Sequence, residues 1–599
     1  MEKEIDEFYD IICNEILNYF LLPNEKNKYL SYKRIKIFIS DLIDFLNSES
    51  FYIFTNYRES KDKEEIFFKP KLFSFTLLPQ KLNKEILELC RECTLLYSEI
   101  FDSMICDMQF LLKTFENTKE YDEFYKSIID ICERVYLNKE NGRDIKNDIR
   151  CVIGRSDYMT NKKDNQKEDD IEIKQVEYNT IAVAFGNLSS ILFKAHKNII
   201  KEIYREYFPY FNEKNEKEIN DILEKKFQNN FTEGIITCFI ECHNAYISNF
   251  KPLQGKYKTI IISVSVGDDL NKFDKYKTKN ELKKFGIDQM FFTLKELQVL
   301  FEKKKLFLNY RHETLRDSLN RIKKNSNDYE QFKPGKLFLN LNDDDANFLN
   351  ETNYERNIYE ISVIYFRSLY SPYHFNETIW SLREMIEFSD SVKIPSLPYQ
   401  LVGSKRIQML LLDDDILKKY ISYDLNKNKK TEQQIINDMN TLKKSFALQV
   451  DPSLDKNSHI ISLAIENEKN FLLKPQREGG MNNLHGSDVK EKLMLYYDEK
   501  EKHKLSIYVL MQKLFPSSFI TVHCRTKKKE NEDNDHSYFI EFSPEKSISE
   551  ISLFHNFIFY KNKNILNEQK GYLIRTKNIN ENEGGAICGI SSLDSFFLI

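Results

Sequence analysis

The sequence lacks any run of about 18 apolar residues, the length that a helix needs to cross a bilayer. It also lacks an excess of charge of one sign, because 88 basic residues are offset by 93 acidic ones and the net charge is −5. Balanced charge removes the basic surface that is typical of nucleic-acid-binding proteins. We therefore expect a soluble protein with no membrane and no nucleic-acid partner, although binding of nucleic acid through lysine-rich loops stays an open alternative.

Cysteine is sparse, with 10 residues in 599, so no dense disulfide framework is expected. Cys90 and Cys93 form a single C-x-x-C pair inside a helical pattern, and no second pair completes a zinc site. We interpret them as structural thiols, with a redox pair as the lesser alternative. Residues 1–23 resemble an amphipathic helix without the basic start of a leader, so we expect a cytoplasmic protein.

The apolar pattern divides the chain into regions. From 82 to 108 apolar residues recur at three- and four-residue spacing, which predicts one long helix, and the first 150 or so residues should be mainly helical. The β-branched run 259–266 is typical of a strand buried on both faces of a parallel sheet. With a helical stretch after it and strand candidates at 337–341 and 361–366, it predicts a small α/β domain.

The C-terminal third contains short strand candidates at 471–474, 508–511 and 572–577, each ending in charged residues beside a loop. Charges at strand ends indicate a site. Polar stretches at 161–170 and 527–536 carry almost no apolar residue, so we expect surface loops or insertions there.

The most informative segment is the loop that follows Lys474, with the sequence Lys-Pro-Gln-Arg-Glu-Gly-Gly-Met-Asn-Asn-Leu-His-Gly. Glycine lets the backbone approach a polyphosphate, Lys474 supplies positive charge, and Glu478 with Asn483 offers oxygen ligands for Mg²⁺. The spacing is not that of a Walker A loop. A plain glycine turn stays the open alternative.

Two further segments pair functional side chains. In 175–179, period-two alternation sends Gln175, Glu177 and Asn179 to one strand face, a carboxylate–amide set suited to Mg²⁺. In 573–577, Arg575 and Lys577 share a face that suits an anionic ligand. An amphipathic strand and an exposed basic strand are the respective alternatives.

Taken in order, these segments resemble the eukaryotic glutathione synthetase family of ATP-grasp ligases, over 155–589. The loop at Lys474 is the most specific match. The weaker matching blocks are Arg155-Ser-Asp-Tyr-Met159, Glu177-x-Asn-Thr-Ile181, Tyr365-Phe-Arg367, Gly403-Ser-Lys405, Leu510-Met-Gln-Lys513, Ser549-Glu550 and Arg575-Thr-Lys577.

The resemblance implies an α/β ATP-grasp fold with α+β elements, an inserted small α/β substrate domain, a helical N-terminal region and lid loops. The expected divisions are 1–256, with the helical part and the first part of the core, 257–404, the inserted domain, and 405–599, with the glycine-rich loop and lid. It also implies a homodimer that joins γ-glutamylcysteine to glycine with ATP and two Mg²⁺ ions.

The resemblance assigns roles residue by residue. The expected metal ligands are Glu177, Asn179 and Glu478, and the catalytic residues are Arg155, Lys474 and Arg575. The nucleotide would contact Glu177, Lys405, Lys474, Gln476, Glu478, Gly479, Gly480, Asn482, Asn483, His485, Met511, Gln512, Lys513, Leu514, Glu550, Lys577 and Glu583. The dipeptide or product would contact Arg155, Ala182, Ala184, Asn271, Lys275, Arg367, Tyr370, Arg575, Ala586 and Ile587.

The chemistry implied is phosphoryl transfer from ATP to a carboxylate, followed by attack of the glycine amine on the acyl phosphate. Two loops, 479–483 and 583–589, would exclude water from this intermediate. No Ser-His-Asp or Cys-His nucleophile is needed, and no His-Glu-x-x-His motif is present.

Several residues depart from the family pattern. They are Met481 for the third loop glycine, Ala182 and Ala184 for serines, Lys275 for a glutamine, His485 for a tyrosine, Glu583 for an aspartate, and Ala586-Ile587-Cys588 in the lid. The alternatives are therefore a ligase that uses another amine, such as β-alanine or serine, and a nucleotide-binding protein without catalysis.

Overall fold

The structure is a computed structural model that describes residues 32–57, 67–162, 172–181, 183–207, 216–226, 228–252, 257–267, 270–324, 332–342, 357–422, 430–476, 483–528, 538–582, 584–587 and 589–599. Its α-helices are α1 Tyr32–Ser48, α2 Lys84–Ile105, α3 Met108–Thr114, α4 Glu116–Lys119, α5 Glu123–Cys132, α6 Gly186–Tyr207, α7 Glu216–Lys226, α8 Phe231–Phe250, α9 Lys272–Lys284, α10 Leu294–Glu302, α11 Leu315–Lys324, α12 Glu377–Phe388, α13 Leu397–Val402, α14 Lys405–Leu410, α15 Asp414–Ile421, α16 Glu432–Ser445, α17 Ser458–Glu466 and α18 Ser487–Leu493.

The strands form two larger sheets, one small sheet and two pairs. They are β1 Tyr52–Tyr57, β2 Phe67–Leu72, β3 Phe75–Thr76, β4 Gln80–Leu82, β5 Arg150–Asn161, β6 Glu172–Asn179, β7 Lys258–Ser265, β8 Gln289–Thr293, β9 Leu306–Tyr310, β10 Gly335–Asn340, β11 Ile358–Phe366, β12 Val392–Ile394, β13 Gln449–Val450, β14 Phe471–Pro475, β15 Leu484–His485, β16 Tyr508–Gln512, β17 Phe519–Lys528, β18 Tyr538–Tyr560, β19 Lys563–Asn578, β20 Ser592–Asp594 and β21 Phe596–Leu598.

The largest sheet carries most of the expected site. Its strand order is β17-β3-β20-β19-β18-β5-β6, and the pairing is antiparallel except between β20 and β3. The sheet therefore places β6, β5, β18 and β19 side by side, although they come from opposite ends of the chain.

A second sheet has the order β8-β7-β11-β10-β9, with β12 beside β11. Strands β8, β7, β11 and β12 are parallel, and the middle of β7 is fully buried, so the prediction of a parallel buried strand at 259–266 is confirmed. Helix α8 packs against both this sheet and the large sheet. The boundaries at 256 and 404 stay a prediction.

The third sheet, β13-β16-β14-β15, is antiparallel. It contains the strands predicted at 471–474 and 508–511, so both predictions are confirmed. The strand predicted at 572–577 is the last part of β19, which begins at Lys563.

The N-terminal region differs from the expectation in two places. The helix predicted from 82 to 108 begins at Lys84 and ends at Ile105, and a separate helix begins at Met108. The Phe110 amide donates to the side chain of Asp107, which caps the second helix. This cap starts a new helix although the apolar spacing continues across the break. The predominantly helical region also contains the antiparallel pair β1–β2.

Cys90 and Cys93 lie buried within α2, as the helical pattern predicts, and both are free thiols. Among the described residues, none of the helices combines the length and apolarity that a bilayer crossing requires. The predicted helix at 1–23 lies outside the described residues, as do most of the polar stretches at 161–170 and 527–536.

A buried ion pair joins α2 to the large sheet. The fully buried carboxylate of Asp102 accepts two hydrogen bonds from Arg150, at 2.7 and 2.8 Å, and one from the Tyr399 hydroxyl at 2.6 Å. Removing one partner of such a pair leaves a buried charge without compensation.

We therefore expect Asp102→Ala to lower the free energy of unfolding by about 3–5 kcal/mol in urea denaturation. Glu88→Ala removes an exposed ion pair with Arg91 on the same helix, and should cost less than about 1 kcal/mol. Equal losses of unfolding free energy in the two variants would contradict a stabilising role of the buried ion pair between Asp102 and Arg150.

Asp594 is a second buried carboxyl. It accepts hydrogen bonds from the hydroxyls of Thr76 at 2.7 Å and Thr576 at 2.9 Å. Burial raises its pKa from 3.8 to about 7, although these two hydrogen bonds act in the opposite direction. The folded protein thus holds the proton of the Asp594 carboxyl more tightly than the unfolded chain does. The stabilisation that this proton provides is complete below the pKa of Asp594 in the unfolded chain, and it is lost as the pH rises through the pKa in the folded protein.

We expect the free energy of unfolding of the wild type, relative to Asp594→Asn, to fall between pH 3.8 and about 7, by an amount on the order of a few kcal/mol. Urea titrations of both proteins across this range measure the difference. A constant difference would contradict the raised pKa.

Candidate functional site

The centre of the site is the carboxylate of Asp157, which is fully buried in β5. Arg155 lies two residues earlier on the same strand face and donates to both of its oxygens at 2.8 Å. Asn179 of β6 donates to it at 3.1 Å, and Arg575 of β19 at 3.2 Å. One carboxylate therefore holds three of the predicted site residues in fixed positions.

Glu177 lies beside this group on β6. Its side chain accepts a hydrogen bond from Asn179 at 3.1 Å and forms an ion pair with Lys405 at 3.1 Å. Burial alone would raise the pKa of the Glu177 carboxyl. The charges of Lys405, Lys474 and Arg155 outweigh burial and hold that pKa well below its ordinary value. The carboxylate is thus ionised and surrounded by cations.

These cations come from separate parts of the chain. Lys405 begins α14, directly after Ser404, and is almost completely buried. Lys474 lies near the end of β14 in the third sheet and is also buried. Buried lysines beside one another form a cluster of positive charge that an anionic ligand would complement.

Arg575 faces Glu550 across the β18–β19 pair and forms an ion pair with it. Burial and the nearby charges of Asp157 and Glu177 raise the pKa of the Glu550 carboxyl, against the attraction of Arg575. The Nε of Arg575 is buried and has no hydrogen-bond partner within the described part of the chain. This donor can serve a carboxylate or a phosphate of a ligand.

The prediction that Gln175, Glu177 and Asn179 share one strand face is wrong for Gln175. A β-bulge between Gln175 and Glu177 breaks the alternation, because Glu177 pairs with Asp157 while Gln175 already pairs with the next residue, Tyr158. Gln175 instead donates to the buried Ser156 hydroxyl at 2.8 Å. Glu177 and Asn179 remain together.

The strand that leads into the glycine-rich loop is well held. The backbone N–H of Gln476 donates to Ile507, its side chain donates to the Tyr508 carbonyl at 3.3 Å, and its own carbonyl accepts from the Tyr125 hydroxyl at 3.0 Å. The loop residues Glu478, Gly479, Gly480, Met481 and Asn482 lie outside the described residues, so the predicted third metal ligand is not placed. The chain is described again from Asn483, and His485 pairs with Leu472 across β14–β15.

The predicted adenine segment, Met511 to Leu514, lies where β16 ends. Met511 is buried and Gln512 is exposed. The Lys513 amide donates to the Asn470 carbonyl at 2.8 Å, which fixes the segment beside β14. The contacts described for it do not reach the Asp157 group.

A second group of predicted residues surrounds the carboxylate of Asp274 in α9. Asn271 donates to it at 3.1 Å, and Arg367 lies 3.6 Å away. The same carboxylate accepts the amides of Phe185 and Asn187. Asp274 thus joins the second sheet, through Arg367 after β11, to the segment that follows β6.

Three more of the residues predicted to contact the dipeptide are Lys275, Ala184 and Tyr370, all described in the structure. Lys275 lies 3.4 Å from the Ser265 hydroxyl. Ala184 is half-buried near the start of α6, while Tyr370 packs its ring against His374. Ala182 lies outside the described residues.

Lys577 and the turn after β19 form a third group. The Lys577 ammonium donates to the Asn582 carbonyl at 3.0 Å, and the aliphatic part of its side chain lies near Gly584. In the turn itself Ala586 is buried, whereas Ile587 is exposed. Glu583 and Cys588 lie outside the described residues.

Sequence reasoning missed Asp157 and Asp274, the two carboxylates that organise the site. Asp157 carried a usable signal, because its two-residue spacing from Arg155 on a strand places both side chains on one face. Asp274 follows Asn271 by three residues within a polar helix, which is too common a spacing to single it out.

The donor set of the first group fits magnesium. Glu177 and Asn179 present a carboxylate and an amide side by side, and Mg²⁺ prefers a few such oxygen ligands together with phosphate oxygens and water.

The chain is similar to known proteins over most of its length. Residues 34–598 match the family model described as eukaryotic glutathione synthase, ATP binding domain. Similar curated proteins are glutathione synthetases. The chloroplastic protein of Arabidopsis thaliana is 27% identical over 87% of this chain and 78% of its own length. The Xenopus laevis protein is 26% identical over 88% of this chain and 90% of its own length. The Homo sapiens protein is 24% identical over 87% of this chain and 89% of its own length.

Among solved structures, a glutathione synthetase-like effector from Globodera pallida in its apo form matches with a TM-score of 0.60 and 13% identity, covering 96% of this chain and 99% of that one. This likeness supports the α/β fold alone.

Fold and family model together define an ATP-binding ligase. More particularly, the chain belongs to the eukaryotic glutathione synthase family.

Proposed function

We propose that this chain joins γ-glutamylcysteine to glycine with ATP, giving glutathione, ADP and phosphate. The observation that carries the proposal is the convergence of Arg155, Arg575 and Asn179 on the buried carboxylate of Asp157, with Glu177 and its lysines beside them. This arrangement suits a reaction between a carboxylate and a polyphosphate, both of which need fixed cations.

The nucleotide would bind between β14 and α14. Lys405 and Lys474 would hold the ATP phosphates, and Glu177 and Asn179, with Glu478, would hold the magnesium ions. Bound magnesium supplies charge neutralisation for the phosphate oxygens. The other expected nucleotide contacts are Gln476, Gly479, Gly480, Asn482, Asn483, His485, Met511, Gln512, Lys513, Leu514, Glu550, Lys577 and Glu583.

The dipeptide would bind where the two carboxylate-centred groups meet the start of α6. Arg155 and Arg575 would hold its reacting end, because a guanidinium binds a carboxylate through two parallel hydrogen bonds. The remaining expected contacts are Ala182, Ala184, Asn271, Lys275, Arg367, Tyr370, Ala586 and Ile587.

The reaction follows from these positions. The cysteinyl carboxylate attacks the γ-phosphorus of ATP and ADP leaves, which gives an acyl phosphate. Arg575 and Lys474 stabilise the negative charge that spreads over the transferring group. The glycine amine then attacks the carbonyl carbon, a C–N bond forms, and phosphate leaves with the former carboxylate oxygen and takes up the proton that the nitrogen loses.

The acceptor side is the part of the proposal that the departures from the family affect most. Lys275 and Ile587 are larger or differently charged than expected, and both belong to the predicted dipeptide and acceptor lining. We therefore propose glycine as the acceptor and treat β-alanine and serine as the competitors to test.

A coupled assay of ADP formation tests the proposed function. ADP should appear only when both γ-glutamylcysteine and an acceptor amine are present, and mass spectrometry should find glutathione as the main product of an equimolar mixture of glycine, β-alanine and serine. If the β-alanine or serine product exceeded glutathione, that amine would replace glycine as the proposed acceptor. ADP release without γ-glutamylcysteine would refute the proposed function.

We further propose that the chain forms a homodimer, as the resemblance to the family implies, and that it acts in the cytoplasm. Gel filtration with light scattering should give twice the 71.5 kDa chain mass.

A further inference from the structure

Three buried cysteines from two distant segments meet between the large sheet and helix α8. Cys151 is the second residue of β5, and Cys238 and Cys242 lie four residues apart on α8. Residues four apart share one face of a helix, so both thiols of α8 point toward the same strand. All three are at most 1% exposed.

The sulfur atoms are arranged like a ligand set. All three Sγ atoms lie within 4.8 Å of one another, and those of Cys151 and Cys238 are 3.7 Å apart. A disulfide would need about 2.05 Å. Sulfurs bound to one ion at about 2.3 Å would lie about 3.8 to 4.0 Å apart, according to whether the coordination is tetrahedral or planar. An ion between them thus requires little movement.

We propose that Cys151, Cys238 and Cys242 bind one thiophilic metal ion, and that this ion is copper(I). The simpler explanation is three small apolar residues filling a core, as free cysteines often do. That explanation does not require the three sulfurs to converge. Among the described residues, no other group of three or more cysteine, histidine or acidic side chains brings its ligand atoms together in this way.

The ligand set selects the metal. Soft thiolates favour copper(I) and zinc over hard cations. Structural zinc takes four protein ligands. No histidine or carboxylate of the described residues joins the three sulfurs as a fourth ligand, and their burial excludes solvent. Three sulfurs alone suit a three-coordinate copper(I) ion.

Binding would connect β5 to α8 at a defined place. Cys151 lies four residues before Arg155 on the same strand, so the ion would stabilise the frame of the site without belonging to it. Because metal binding displaces thiol protons, affinity should rise with pH. Because the three sulfurs converge only in the folded chain, the ion should bind that state more tightly and raise the melting temperature.

The test uses the full chain, produced with copper added to the growth medium and, in a second arm, reduced, stripped of metal and titrated anaerobically with copper(I) against a competing chelator. We expect one copper per chain, a thiolate-to-copper absorption band, and a raised melting temperature. Cys238→Ala and Cys242→Ala should each lose all three effects while retaining ADP-forming activity, which shows that they fold.

Cys524→Ala is the matched control, because Cys524 is a buried thiol of the same core outside the trio and should leave copper binding unchanged. Wild-type protein that retains no copper with its thiols reduced would overturn the proposal, as would binding that survives Cys238→Ala and Cys242→Ala. One equivalent of zinc bound through the same three cysteines, in place of copper, would overturn the choice of copper(I).

Discussion

Replacing Arg575 by alanine is expected to lower kcat/KM for ADP formation roughly 10²- to 10³-fold, the loss usual when one charge-stabilising donor is removed from an active site. Arg575 bonds Asp157 and Glu550 and still has a buried Nε without a partner among the described residues. The variant therefore removes a donor that the proposed mechanism assigns to the transferring phosphoryl group. Steady-state assays with saturating ATP measure the loss.

Lys563→Ala is the matched control, since Lys563 begins the same strand and is exposed. It should retain full activity. Arg575→Lys keeps the charge but not the planar fork, so it should recover only part of the loss. Near-normal activity of Arg575→Ala would remove this residue from the proposed mechanism.

Glu177→Gln is the second variant with a large expected effect. It keeps the shape of the side chain but removes the charge that Lys405 pairs with and that magnesium would need. We expect kcat/KM to fall by about 10²-fold and the magnesium concentration for half-maximal rate to rise. A magnesium titration of wild type and variant at fixed ATP separates the two effects.

The control is Glu172→Gln, a carboxyl on the same strand that pairs with Lys174 away from the site. It should leave both the rate and the magnesium dependence unchanged. A Glu177→Gln variant whose magnesium dependence is unchanged would show that Glu177 is not a ligand.

The elements of this fold that could be predicted from sequence are those with a strong local pattern. The run 259–266 is nearly continuous in β-branched residues, so its burial in a parallel sheet follows from composition. The strands 471–474 and 508–511 are short but lie beside turn residues. The break between α2 and α3 was missed because apolar spacing continues through Cys106 and Asp107 and only a side-chain cap marks the new helix.

The site was harder to predict because its geometry depends on pairing between distant strands. The bulge beside Val176 changes which residues of β6 share a face with Glu177, and period-two reasoning has no means of detecting one extra residue. The role of Asp157 depends on Arg575, which comes 418 residues later in the chain. The cysteine trio likewise needs β5 and α8 to be packed together.

The most direct test of the proposed chemistry follows an oxygen atom. γ-Glutamylcysteine labelled with ¹⁸O at both oxygens of its cysteinyl carboxyl is incubated with the enzyme, ATP, magnesium and glycine, and the released phosphate is analysed by mass spectrometry. Carboxyl activation by phosphoryl transfer predicts one ¹⁸O atom in each phosphate. Unlabelled phosphate formed together with glutathione would contradict it.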